Sequence, residues 1–211
     1  MDIHRVYGAL MRGFRRRRMA RFAVRFEPKP DTRILDVGGS AFNWRLSGIV
    51  SRVTLLNLAP PKDADSLPSH LMAVRASGTD LPYADHAFDI VFSNSVIEHL
   101  GTFESQWQFA AQLRRVGRGL WVQTPARWFP LEPHLLTPFI HYLPKRLQAR
   151  LLRYGSVWGW LARPSPEEVL RFVRETRLLT HREMARLFPD CEIRRERFLG
   201  LTKAYVAVRD A

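Results

Sequence analysis

Cysteine is nearly missing: Cys191 is the sole one in 211 residues. No internal disulfide is available, and no Cys/His cluster has the spacing of a zinc site, which excludes a disulfide-stapled secreted fold. Long apolar runs are missing too. No stretch reaches the roughly 18 uninterrupted apolar residues that a spanning helix needs, and the first residues are arginine-rich where a signal peptide would carry an apolar core. The expectation is an intracellular protein, cytoplasmic or peripheral to a membrane. Acid is short as well: 20 Asp+Glu face 33 Lys+Arg, for a formal net charge of +13. Such an excess brings nucleic acid, anionic membrane and acidic substrates into view as partners. What is present argues for a globular protein, since 46% of residues are hydrophobic and 25% charged, enough for one domain with a sizeable core.

The charge is uneven. Residues 1–33 carry +7 and residues 126–177 carry +5, while residues 34–125 carry −1 and the remainder +2. The excess therefore belongs to attachments that flank a neutral core. The first attachment, residues 1–30, reads as an amphipathic helix with Ile3, Val6, Tyr7, Leu10, Met11 and Phe14 on one 3.6-residue face, then the Arg15–Arg18 run, then a linker at Pro28 and Pro30. From residue 31 to 125 short β-branched runs alternate with helical spacing. Arg33 to Gly38, Val53 to Leu58, Leu71 to Val74, Phe88 to Ser93 and Gly119 to Thr124 read as buried strands, and Phe103 to Val116 as a helix. Residues 126–177, rich in proline, tryptophan and arginine, break that rhythm as an insertion with its own helices. Residues 178–211 resume it with a helix that opens on the Thr180-His181-Arg182-Glu183 capping box, then two strands in succession. Together these predict a single α/β domain built as a doubly wound sheet.

In such a sheet ligands bind beyond the carboxyl ends of the strands. The residues there are Asp36, Gly38, Gly39 and Ser40 after the first strand, Asn57 after the second, Ser77, Gly78, Thr79 and Asp80 after the third, and Ser93 and Asn94 after the fourth. Small and polar, they suit a nucleoside-like ligand approached closely by backbone.

The runs Ile34-Leu35-Asp36-Val37-Gly38-Gly39 and Leu81-Pro82-Tyr83-Ala84-Asp85-His86-Ala87-Phe88-Asp89-Ile90-Val91-Phe92-Ser93-Asn94-Ser95-Val96-Ile97-Glu98-His99-Leu100 resemble the class I S-adenosylmethionine-dependent methyltransferases, specifically the type 11 group. The resemblance covers residues 33–125 and, more loosely, 178–210. It implies a Rossmann-like, seven-stranded, mostly parallel sheet with an antiparallel last strand. It also implies S-adenosyl-L-methionine as cofactor, with Asp36, Gly38 and Gly39 near its methionine part. Four positions depart from the family pattern. Ser40 and Phe42 stand where the later glycines of the loop belong, Asn57 replaces the acid that takes the ribose hydroxyls, and Ser77 replaces an aspartate near the adenine, with Asp80 close by.

Methyl transfer from a sulfonium is an in-line displacement, and a base is needed only where the acceptor must lose a proton. The candidates are His99, beside Glu98 after the fourth strand, and Glu132 with His134 after the fifth. The insertion is placed to choose the acceptor. Its tryptophans and tyrosines beside arginines suit either a lid over the cleft or a membrane-surface belt. The leading reading is a methyltransferase for a small, apolar or lipid-like acceptor, with residues 1–25 and 126–177 in contact with an anionic membrane. An RNA methyltransferase ranks behind it, because Ser93-Asn94-Ser95-Val96 stands where base-methylating enzymes carry a proline-rich tetrapeptide. A methyltransferase-like binding protein without catalysis is the third reading, prompted by the altered glycine loop and the missing ribose acid.

Overall fold

The computed structural model describes residues 3–59, 66–132, 137–156, 159–160 and 163–211, with side chains from residue 12 onward and that of Glu132 excepted. Strands β1 (Arg33–Val37), β2 (Arg52–Asn57), β3 (Leu71–Arg75), β4 (Phe88–Asn94), β5 (Gly117–Pro125), β8 (Glu192–Phe198) and β9 (Leu201–Arg209) form one sheet in the order β3-β2-β1-β4-β5-β9-β8. β1 pairs in parallel with β2 and β4, and β2 in parallel with β3. β8 and β9 are antiparallel. This is the seven-stranded, mostly parallel sheet expected, with strand order reversing between β1 and β4, where such sheets bind their ligands. β6 (Leu131–Glu132) and β7 (Thr137–Pro138) form a separate two-stranded ladder.

The chain divides into two compact units. The first comprises Met1–Asn94, Gln112–Val122 and Arg209–Ala211. Its centre is aromatic. Helix α1 (Ile3–Phe26) presents Met19 and Phe22, both buried, and the Phe22 ring meets Phe92 of β4 at 5.2 Å, Trp121 of β5 at 5.9 Å and Trp44 at 6.0 Å, all edge-on. Trp44 belongs to α2 (Ala41–Ser47), a short crossover helix closed by Gly48 in the left-handed conformation. Edge-on ring pairs add about 0.5–1.5 kcal/mol each beyond the area they bury, so one side chain of α1 ties three other elements together. The helix runs through the Arg15–Arg18 run and stops before Pro28, in keeping with the proline signal. Of its expected apolar face, Phe14 is half-buried and the side chains from Ile3 to Met11 lie outside the described residues.

Arg115 fixes the loop that leads into β4. Its guanidinium donates to the carbonyls of Leu81 and Tyr83, to Gln112 Oε1 and to Asp85, at 2.6–3.0 Å. Arg209 does the same for the end of α3 (Phe103–Val116), donating to the carbonyls of Arg114, Gly117 and Arg118. A cation among these orphan carbonyls satisfies both hydrogen bonding and the helix dipole.

The second unit comprises Ser95–Ala111 and Gln123–Val208. Here α4 (Lys145–Gly155) and α5 (Pro166–Glu175) enclose a small core of Ile140, Leu152, Val169 and Val173, so the insertion buries its own apolar stripe. Capping boxes open α5 (Ser165 with Glu168) and α6 (His181–Leu187, Thr180 with Glu183), the second as read from the sequence. Leu199 (φ 48°) and Gly200 (φ 80°) make the two-residue turn between β8 and β9, the left-handed pair that suits a tight hairpin.

Phe22→Ala is expected to lower unfolding stability by about 3–5 kcal/mol in urea titration. Val24→Ala, two residues on and 78% exposed, is expected to stay within about 0.5 kcal/mol of the parent.

Candidate functional site

The first unit brings most of the strand-end residues to one place. β1 carries Asp36 in its interior, where the carboxylate is fully buried. Its Oδ2 accepts one hydrogen bond, from Trp44 Nε1 at 2.8 Å, and its Oδ1 has no hydrogen-bond partner among the described residues. Burial dominates and raises the pKa to about 7, the Trp44 hydrogen bond offsetting only part of it. Gly39 lies against this group so tightly that a Cβ would come within 1.8 Å of Asp36 Oδ2. Glycine at that position is a steric requirement. Gly38 has φ +76°, which favours glycine, and its N–H donates to the Leu56 carbonyl at 2.8 Å.

Asn57, the last residue of β2, donates from Nδ2 to the Gly39 carbonyl at 2.9 Å. The Asn57 amide therefore pins the glycine loop, a role a carboxylate could not fill, since it has no donor. Ser40 occupies the N-cap position of α2 with extended backbone and makes no capping bond. After β3, Ser77, Gly78, Thr79 and Asp80 form a closed turn: Ser77 Oγ lies 2.8 Å from Thr79 Oγ1, and the Asp80 N–H donates to the Ser77 carbonyl at 3.2 Å. The buried Ser93 hydroxyl donates to the Val37 carbonyl at 3.0 Å and so spaces β4 from β1.

Asn94, at the end of β4, accepts from Arg18 at 2.5 Å. Arg18 is the residue that sequence reasoning missed. Its place in a run of four arginines reads as solvated, yet it is only 8% exposed while Arg15, Arg16 and Arg17 face solvent. Its position one residue before Met19 and four before Phe22, the residues that bury α1, was the available signal.

The proposed acid–base residues lie in the second unit. His99 is half-buried in a single 3₁₀ turn, Ile97–Leu100. Its neighbour Glu98 is fully buried and accepts from Thr124 Oγ1 at 3.0 Å. Glu132 stands in β6, and His134 lies outside the described residues. Among the described residues no cluster of His, Cys, Asp and Glu is arranged to hold a metal ion.

The Asp36 shift carries a pH dependence. Its folded pKa, about 7, exceeds the unfolded value of 3.8, so the folded state keeps a proton that the unfolded state releases. Stability then falls as pH rises through that window and the loss is complete above it, by at most about 4 kcal/mol. Asp36→Asn removes the titration. Its thermal midpoint, measured without ligand, is expected to gain several degrees on the parent at pH 8 and to lose that advantage toward pH 4.

Residues 35–119 match the methyltransferase domain family. An uncharacterized methyltransferase of Mycolicibacterium vanbaalenii is 32% identical over 127 residues, covering 56% of this chain and 48% of that protein. A glycine/sarcosine/dimethylglycine N-methyltransferase of Actinopolyspora halophila is 33% identical over 96 residues, 40% of this chain and 17% of that one. The chain thus spans about half or less of the length of these curated relatives. In structure, the 1,6-didemethyltoxoflavin-N1-methyltransferase of Burkholderia thailandensis superposes with a TM-score of 0.54 at 13% identity, over 90% of this chain and 74% of that one, a likeness of fold. Sheet order and the match over residues 35–119 agree in their likeness to the class I, S-adenosylmethionine-dependent methyltransferases.

Proposed function

We propose that the protein transfers a methyl group from S-adenosyl-L-methionine to a small, apolar or lipid-like acceptor. The observation that carries this reading is the buried Asp36 carboxyl with one oxygen unpartnered beside a glycine that admits no side chain. A buried acceptor of that kind calls for a donor, which the ammonium of a methionyl group would supply. The remaining groups fit the same ligand. Asn57 Oδ1 is an acceptor for a ribose hydroxyl, and Arg18 provides positive charge for a carboxylate at the end of β4. The Burkholderia structure, with the same fold, holds S-adenosylhomocysteine. The cofactor brings a methyl group already activated on a sulfonium. The protein's part is alignment and exclusion of water.

Contact with an anionic membrane surface belongs to the same proposal. Trp128 (64% exposed), Phe139 (58%) and Tyr142 (40%) form a surface aromatic cluster in the second unit, with Arg127 stacked on Trp128. Aromatic rings flanked by arginine are the composition of an interfacial anchor. No described helix is long and apolar enough to cross a membrane.

Calorimetry with S-adenosylhomocysteine tests the first statement. Binding in the micromolar range is expected, weakened about tenfold, or about 1.4 kcal/mol, in Arg18→Met. No binding at millimolar ligand would overturn it in favour of a non-catalytic binding protein. For the second, flotation with phosphatidylglycerol vesicles at low salt should carry the parent protein upward, and Trp128→Ala with Phe139→Ala should leave it at least fivefold depleted in the floating fraction.

A further inference from the structure

The second unit contains a cavity of about 560 Å³ that the methyl-transfer reading leaves unused. Its volume is that of a small-molecule site. Three cationic side chains line it, Arg127, Lys145 and Arg177, and no carboxylate does among the described residues. Arg177 is held rigidly: it donates to Gln106 Oε1 at 2.7 Å, pairs with Glu183 and lies over the Phe103 ring at 5.1 Å. Lys145, the first residue of α4, donates to the Arg174 carbonyl at 3.2 Å and pairs with no acid among the described residues. Burial and the nearby Arg177 charge hold its amino group below the usual lysine range. Glu183 offsets part of the Arg177 charge, which leaves Lys145 as the cation of this wall without an acid among the described residues, and an anion beside it would relieve its repulsion from Arg177. The wall also carries Thr176, whose buried Oγ1 has no hydrogen-bond partner among the described residues and can donate. Ile140, Leu143 and Phe172 give the lining an apolar wall, beside the neutral polar groups of Tyr142 and Gln148 and the His141 ring.

We propose that this cavity binds a small amphiphilic anion, its phosphate or carboxylate head at Lys145, Arg177 and Thr176 and its apolar body against Ile140, Leu143 and Phe172. Charge selects the head, because the lining offers donors and no acceptor carboxylate. The apolar wall selects against inorganic ions, which gain nothing from it.

Calorimetric titration of the whole protein with decyl phosphate, kept below its micelle concentration, tests the assignment beside inorganic phosphate and phosphatidylglycerol vesicles. Saturable binding of decyl phosphate at least tenfold tighter than inorganic phosphate is expected, reduced about tenfold in Lys145→Met. That substitution lies at an exposed helix start and leaves the small core of the unit intact, and an unchanged thermal midpoint verifies it. Equal affinity for the two phosphates, or a Lys145→Met affinity within twofold of the parent, overturns the proposal. So does binding to vesicles alone, which would assign the cations to a lipid surface. S-adenosylhomocysteine titrated into the same sample reads the first unit, so loss of that binding leaves this result standing.

Discussion

A carboxylate in the interior of a sheet sets the conditions for the first unit. Asp36 is enclosed on all sides and holds one hydrogen bond, from Trp44. That bond fixes the indole of α2, and the indole in turn gives Phe22 of α1 and Phe92 of β4 an edge to pack on. Gly39 must lack a side chain because the same carboxylate fills the space, and Asn57 must donate because the loop carbonyl beside it would otherwise be left without a donor. An unfavourable burial is thus surrounded by residues whose identities depend on it. Strain of this kind persists where a ligand site needs a preorganised polar group.

The second unit solves a different problem. Its charge is neutralised pairwise where the packing needs rigidity, as at Arg177 and Glu183, and is left in excess elsewhere. Arg177, held in this way, lines the cavity, while Trp128, Phe139 and Tyr142 stand exposed beside it. Unit one holds the buried carboxylate and its glycine loop; unit two holds the cation-lined cavity and the exposed rings.

The sheet is legible in the sequence because buried parallel strands write themselves as apolar runs: Ile34 to Val37, Val53 to Leu56 and Phe88 to Phe92 are buried nearly throughout. The Thr180 box is legible because its hydrogen bonds are local and depend on residues three apart. The fifth strand begins at Gly117, two residues before the run read from the sequence, because Gly117 and Arg118 carry no hydrophobic signal. Motif order picks out Asp36, Gly38 and Gly39 but not the Trp44 contact, since a tryptophan eight residues on gives no sign of its direction. Arg18 is hidden for the same reason. Four arginines in a row look alike until the helix turns one of them inward.

The first unit is discontinuous, and Arg209 makes its completion wait for residues some ninety positions beyond the end of α3. The guanidinium reaches carbonyls more than ninety positions back in the chain, Asp210 pairs with Arg25 of α1, and Ala211 lies against the space above Gly119. During synthesis the helix, β1 to β4 and the start of β5 leave the ribosome long before these three residues. Until residues 209–211 emerge, the carbonyls at the end of α3 keep water as their partner, and the nascent first unit presents an unfinished edge that other chains can reach.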